Sequence, residues 1–394
     1  MLRKSILYIF LIIPLALSAC NLNQPATQPA VSTNTTSPGI ATVTTSQPAV
    51  PSATAPGITP APTDTSPAAT ALPVASNTPV PTATSSVVPV SIPASTNYID
   101  DRSTPWQVIV SFYNAITRQE YSRAYGYWND PATSLGAFNA YANGYQNTAS
   151  VDLVFGQIAG DAHMSQVDYT VPVLLKVTNK DSSHSNFVAC YVVHETSPDV
   201  FGAPPFNPMS ISQGAASPSD INAQDASVLA SACSGFPVGG VTSPITPGSA
   251  LNIDKTHFID NRSGPIETVS SLLNALNLKQ YVRAYSYFQD PATFPGDFSP
   301  YAAGYANTEV ITVTFGTPTS EGAAGSIYYK VPLATKVLTT TNTTQTFVGC
   351  YTVRLAQPGV QVVPPFHPMG IVSGKFVQVN NSTDVNPLLP TACN

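Results

Sequence analysis

The sequence predicts an α+β fold built twice, and three observations carry that prediction. First, Tyr121-Ser-Arg-Ala-Tyr-Gly-Tyr-Trp-Asn-Asp-Pro-Ala-Thr133 returns as Tyr281-Val-Arg-Ala-Tyr-Ser-Tyr-Phe-Gln-Asp-Pro-Ala-Thr293. The same offset aligns Ile99 with Ile259, Arg102 with Arg262 and Lys176 with Lys336 without a gap. Second, within each copy apolar residues recur at helical spacing first and at a period of two afterwards, which is the order of helices followed by an antiparallel sheet. Third, each copy carries two cysteines at matching places, Cys190 and Cys233 against Cys350 and Cys393. The copies are expected over residues 98–233 and 258–394, joined by a Gly-, Pro- and Ser-rich linker at 234–257.

The chain has 394 residues, 38 of them proline, and only 9% are charged. Its net charge of -6 disfavours nucleic acid, because phosphate binding needs clustered Lys and Arg. Arg3-Lys4, an apolar run from Ile6 to Leu17 and small residues before a cysteine read as an export signal over residues 1–19. The sequence Leu17-Ser-Ala-Cys20 resembles the lipobox of bacterial lipoproteins. That resemblance implies that Cys20 becomes the mature N-terminus and carries acyl chains such as palmitate. It also implies an exported chain held on the outer side of a membrane, and two or more chains anchor stably where one does not. An ordinary cleaved signal or an uncleaved anchor are the other readings.

Residues 20–97 are expected to be a disordered tether: Pro, Thr, Ser, Ala and Val dominate, Asp64 is the only charge and no aromatic residue occurs. A Pro-rich chain of this length reaches about 240 Å at most. In the first copy, Thr104 and Pro105 mark a helix start, and Trp106, Ile109, Tyr113 and Ile116 form one apolar face, as do Ile266, Val269, Leu273 and Leu276. A second helix carries Tyr121, Ala124, Tyr125 and Trp128, and a third Phe138, Tyr141, Ala142 and Tyr145. Alternation from Val151 to Phe155, Val167 to Val177 and Phe187 to Val193 marks strands. Pro172 and Pro332 inside the longest of these argue for an edge or a bulge. Pairing Cys190 with Cys233 and Cys350 with Cys393 closes each copy on itself, worth roughly 4 kcal/mol per bridge in the chain-entropy model. Each copy is then expected to fold alone, with modest contact between the two.

Three helices, a Tyr-x-x-Ala-Tyr pattern on the second and a curved sheet resemble the nuclear transport factor 2-like superfamily. Its members form cones with a pocket between helices and sheet. It includes isomerases and cyclases such as ketosteroid isomerase as well as non-catalytic modules of exported bacterial proteins, so the fold does not choose. If a pocket is present, the recurring tyrosines Tyr121, Tyr125, Tyr127 and Tyr141, with Tyr281, Tyr285, Tyr287 and Tyr301, are its candidate lining, against the alternative that they are core.

The charged side chains shared by both copies are few: Asp100, Arg102, Arg123, Asp130 and Lys176 with their equivalents. Asp130 before Pro131 reads as a helix cap, Arg123 as a surface or structural ion pair with pairing to Asp130 or anion binding as the alternatives, and Asp100 with Arg102 as a local pair. The histidines fall at no metal-ligand spacing, and no Gly-x-Ser-x-Gly, phosphate loop or dinucleotide fingerprint occurs, so no metal, cofactor or catalytic residue is expected. A non-catalytic envelope lipoprotein that binds a ligand or protein partner is favoured. An isomerase or cyclase using a pocket carboxylate with tyrosines, and a structural envelope spacer, are the alternatives.

Overall fold

The computed structural model describes residues 89–236 and 257–394. The expected signal segment, Cys20, most of the expected tether and most of the linker lie outside the described residues. The chain is mixed helix and sheet, with one antiparallel sheet in each repeat. Among the described residues, no helix is long and apolar enough to cross a membrane.

The first repeat opens with β1 (Val90–Ile92), followed by α1 (Pro105–Thr117), α2 (Tyr121–Tyr125), α3 (Pro131–Leu135) and α4 (Phe138–Gly144). Strands β2 (Thr148–Phe155), β3 (Ala159–His163), β4 (Gln166–Asn179), β5 (His184–Thr196) and β6 (Ser210–Ser219) and the helix α5 (Asp225–Ser231) complete it. The second repeat runs α6 (Pro265–Asn277), α7 (Tyr281–Tyr285), α8 (Phe298–Gly304), β7 (Thr308–Phe315), β8 (Thr319–Ala323), β9 (Ser326–Thr339), β10 (Thr344–Ala356) and β11 (Gly370–Val379). The first sheet has the order β1-β2-β4-β5-β6 and the second β11-β10-β9-β7, with β3 on β4 and β8 on β9.

The Thr104 side chain accepts the Gln107 N–H and Pro105 occupies the first turn, so α1 starts where capping chemistry places it. Its buried face is broader than the expected stripe. Val108 and Phe112 are fully buried beside Ile109 and Ile116, while Trp106 only packs against the core edge. The helices cover one face of each sheet, and α1 and α6 with β2, β4, β5 and their equivalents enclose the two main cores.

The opposite face of each sheet is covered by the chain end that the disulfide holds. Cys190 on β5 is bonded to Cys233, and Cys350 on β10 to Cys393. Leu229 of α5 thereby rests on Val154 and Leu174, and Leu389 on Ala334 and Val348. Lys176 adds a 2.9 Å contact to Asp225.

Two expectations change. The folded part begins before residue 98: β1 pairs along β2, with Val90 opposite Phe155 and Ile92 opposite Leu153, and the Ala94 N–H donates to Asp152. The alternating Val90-Ser-Ile92 satisfies an edge that β2 would otherwise present. Pro172 and Pro332, moreover, lie in central strands, not at an edge, each paired across to a cysteine, Cys190 or Cys350. On its other side Pro172 faces the break between β2, which ends at Phe155, and β3, whose pairing starts at Ala159 opposite Thr170. A missing N–H costs nothing where the neighbouring strand is interrupted.

The repeats are also joined directly. Asp101 and Asn261 form an antiparallel bridge, with the Arg102 N–H donating to the Asp260 carbonyl at 2.7 Å and the Arg262 N–H to the Asp100 carbonyl at 2.6 Å. Ser263 Oγ accepts the Asp100 N–H and Ser103 Oγ the Asp260 N–H, both at 2.9 Å. Asn261 Nδ2 donates to Asp101 Oδ2, and farther off Gln280 reaches Asp199. This replaces the expected modest contact with a reciprocal, largely buried join. Removing both serine acceptors, Ser103→Ala with Ser263→Ala, leaves two buried N–H groups without their acceptors at roughly 1–3 kcal/mol each. The intact chain is expected to melt in one calorimetric transition and the double variant in two.

Candidate functional site

Strand alternation on β9 and β10 points Thr335, Val337, Gln345, Phe347 and Tyr351 to the same side of the sheet, and these line a cavity of about 460 Å³ in the second repeat. The helical side supplies Leu273 and Leu276 from α6, and Tyr301 with the following Tyr305 from α8. Ile311 of β7 and Phe376 of β11 complete the lining. Every lining residue is uncharged. Phe376 lies against Tyr351, ring centroids 4.8 Å apart, and faces Gly349 across the strand pair. A Cβ at Gly349 would meet the Lys375 carbonyl oxygen first and then the Phe376 ring within 2.6 Å, so the close approach of the β11 backbone as well as the ring requires glycine here.

In the first repeat the matching space is occupied from within. Tyr113 stands where the second repeat has Leu273, and Leu175 where it has Thr335. Tyr113 is buried and its hydroxyl bonds the Tyr191 hydroxyl at 2.5 Å, with its ring 4.7 Å from Phe112. Tyr191 is the equivalent of Tyr351, and Leu273 offers Tyr351 no such partner. Burial first, and then the nearby Tyr305, push the Tyr351 phenol well above its ordinary pKa, so it is a protonated hydrogen-bond donor at neutral pH.

The expected tyrosines go to three different places. Tyr301 lines the cavity, and its equivalent Tyr141 packs between Tyr125 and Tyr145 in the first core. Both have hydroxyls buried without a partner. Tyr121 and Tyr281 donate to the carbonyls of Tyr145 and Tyr305, and Tyr125 and Tyr285 to those of Gly136 and Gly296. Tyr127 and Tyr287, fully buried, donate to Asp100 and Asp260. Most of the set is therefore structural. Thr335, Gln345, Tyr351 and Phe376 were not among the expected lining. The identity of Tyr191 with Tyr351, on an alternating strand, was the available signal.

Comparison with known proteins returns no matching family model, curated protein or solved structure.

The shared charged residues lie away from this cavity. Asp130 is exposed, capping α3 through the Thr133 N–H, and Asp290 is exposed and bonded by Thr293. Arg123 pairs with Glu120, not Asp130, at 2.7 Å. It also donates to the Ile99 carbonyl and to Asn114 Oδ1. Arg102 lies over the Tyr127 ring at 4.4 Å and donates to the Met209 and Gly126 carbonyls, so its main partners are not the expected Asp100. Arg262 repeats this over Tyr287, with Asp260 at 3.8 Å. Together Asp100, Arg102, Tyr127, Asp260 and Arg262 border a smaller cavity of about 180 Å³ between the repeats. Among the described residues, no group of three or more His, Cys, Asp or Glu is arranged to hold a metal ion.

Two tests follow from this junction. Tyr98 donates to Asp100 Oδ2, but the second repeat has Phe258 at that position and Asp260 Oδ2 is buried without a partner. Phe258→Tyr is expected to supply the missing donor and raise stability by about 1 kcal/mol, read in urea unfolding. Burial pushes the Asp101 carboxyl from 3.8 up to about 6, against the lowering effect of its Ser103 hydrogen bonds and with a further rise from Asp260 and Asp100. A raised pKa means that the folded chain holds the proton more tightly than the unfolded one. The stabilisation, at most about 3 kcal/mol, is complete below pH 3.8 and lost as pH rises through about 6. Thermal stability is expected to fall between about pH 4 and 6 in the intact chain, and less steeply in Asp101→Asn.

Proposed function

We propose that this chain is a bacterial cell-envelope lipoprotein, anchored through Cys20, whose two nuclear transport factor 2-like repeats form a non-catalytic module that binds a ligand. The cavity of the second repeat carries this reading: about 460 Å³ in size and lined by uncharged side chains, it falls within the range of small-molecule sites. A general acid or base works best with a pKa near the working pH. The lining offers only phenols, and burial raises those of Tyr301, Tyr305 and Tyr351 further from neutrality. The helix-then-antiparallel-sheet order supports the family resemblance, and the two disulfides are consistent with an oxidising compartment. Leu17-Ser-Ala-Cys20 and the long Pro- and Thr-rich stretch after it support an anchored module held away from a membrane surface.

Cells fed labelled palmitate are expected to incorporate it into the full-length chain and to hold the chain in the membrane fraction. Cys20→Ser should lose both. Label retained by that variant would remove the anchor, and absence of saturable binding of both small molecules and envelope proteins would leave only a structural spacer.

A further inference from the structure

We propose that the second repeat alone holds the ligand, an uncharged and largely apolar small molecule with an oxygen that accepts a hydrogen bond from the Tyr351 hydroxyl. This rests on the binding-module reading and names its site and ligand class.

The two repeats provide their own internal comparison. Where Tyr113 and Leu175 fill the first core, Leu273 and Thr335 leave space in the second, and Thr335 sits opposite Phe347 on the cavity wall. Phe376, where the first repeat has Ala216, does not fill the gap, since it is itself part of the lining. Charge selects the class. No Lys, Arg, Asp, Glu or His lines the space, so an ionised ligand would be desolvated there without a counter-charge. Leu273, Leu276, Ile311, Val337, Phe347 and Phe376 supply apolar contact on opposite sides. Tyr351 is the polar fixture, because the first repeat shows what its hydroxyl does when an oxygen is within reach: Tyr191 is bonded by Tyr113. The ligand oxygen takes the place of the Tyr113 hydroxyl.

The probe is 1-naphthol, with 1-naphthoate as its ionised counterpart, titrated into the purified full-length Cys20→Ser chain and followed by saturation-transfer NMR and calorimetry. The expected result is one saturable 1-naphthol site per chain, and binding of 1-naphthoate at least tenfold weaker. Leu273→Tyr, which copies the first repeat, should abolish the site. Thr335→Leu, the other copied residue, should weaken it independently in case the first variant does not fold. Tyr351→Phe should weaken it by up to about tenfold, the worth of one hydrogen bond. Tyr113→Leu should open a second site. Binding unaffected by Leu273→Tyr and Thr335→Leu, or equal binding of 1-naphthoate, would overturn the assignment of site and class while leaving the module reading intact. Saturable binding of neither probe would overturn both.

Discussion

A buried guanidinium has to be satisfied on all sides, and much of each repeat is arranged around that requirement. Arg123 is almost fully buried, and its donors reach the Ile99 carbonyl, Asn114 of α1, Glu120 ahead of α2 and the Tyr127 hydroxyl. Burial alone would lower its pKa, but the surrounding Tyr127, Tyr98, Glu120 and Asp100 raise it above the ordinary guanidinium value. Because Arg123 grips the carbonyl of Ile99, the following residues 100–103 are held extended in the position from which they meet the other repeat. Arg283 does the same through Ile259, Asn274 and Tyr287, with neutral Gln280 in place of Glu120. Across the junction, burial raises the Glu195 carboxyl of the first repeat above its ordinary pKa, and its Tyr169 hydrogen bond and the nearby Arg283 act against that rise.

Around this shared frame the two cores have diverged in compensating steps. Trp128 becomes Phe288, and Phe294, at 5.4 Å, fills in beside it. Ala189 opposite Ala216 becomes Gly349 opposite Phe376, where the methyl lost at one position only partly offsets the ring added at the other. Tyr113 to Leu273 has no such answer, and that is where the cavity lies. A pocket lined by Leu273, Thr335 and Tyr351 in one repeat, where the other buries Tyr113, Leu175 and Tyr191 in its core, is the feature that separates a binding wall from ordinary packing.

Much of this is legible in the sequence. The gap-free repeat, the helix caps at Thr104 and Asp130, the alternating strands and the cysteine pairing all follow from local chemistry that the residues state themselves. The junction was not, because Asp100, Asp101 and Arg102 look the same whether they pair locally or across to Asp260, Asn261 and Arg262. The cavity was only half legible. Recurring tyrosines pointed to a ring-lined core, yet Tyr125 and Tyr127 spend their hydroxyls on Gly136 and Asp100, and openness turned on the non-recurring positions 273 and 335. Identity between copies marks what the fold needs, and difference marks where one copy has been released from it. Pro172 misled for a related reason, since a strand can be central on one side and interrupted on the other.

The reciprocal contacts between Asp100–Ser103 and Asp260–Ser263 have one more consequence. Residue i of one repeat bonds residue j of the other, and j of the first bonds i of the second, which is the pattern of an isologous two-fold dimer. Written into one chain, such an interface no longer depends on protein concentration, because its partner is always supplied at the effective concentration that the linker sets. Covalent fusion also frees the halves from having to be identical. A homodimer must change both pockets at once, whereas this chain can keep one repeat tightly packed as ballast and open the other.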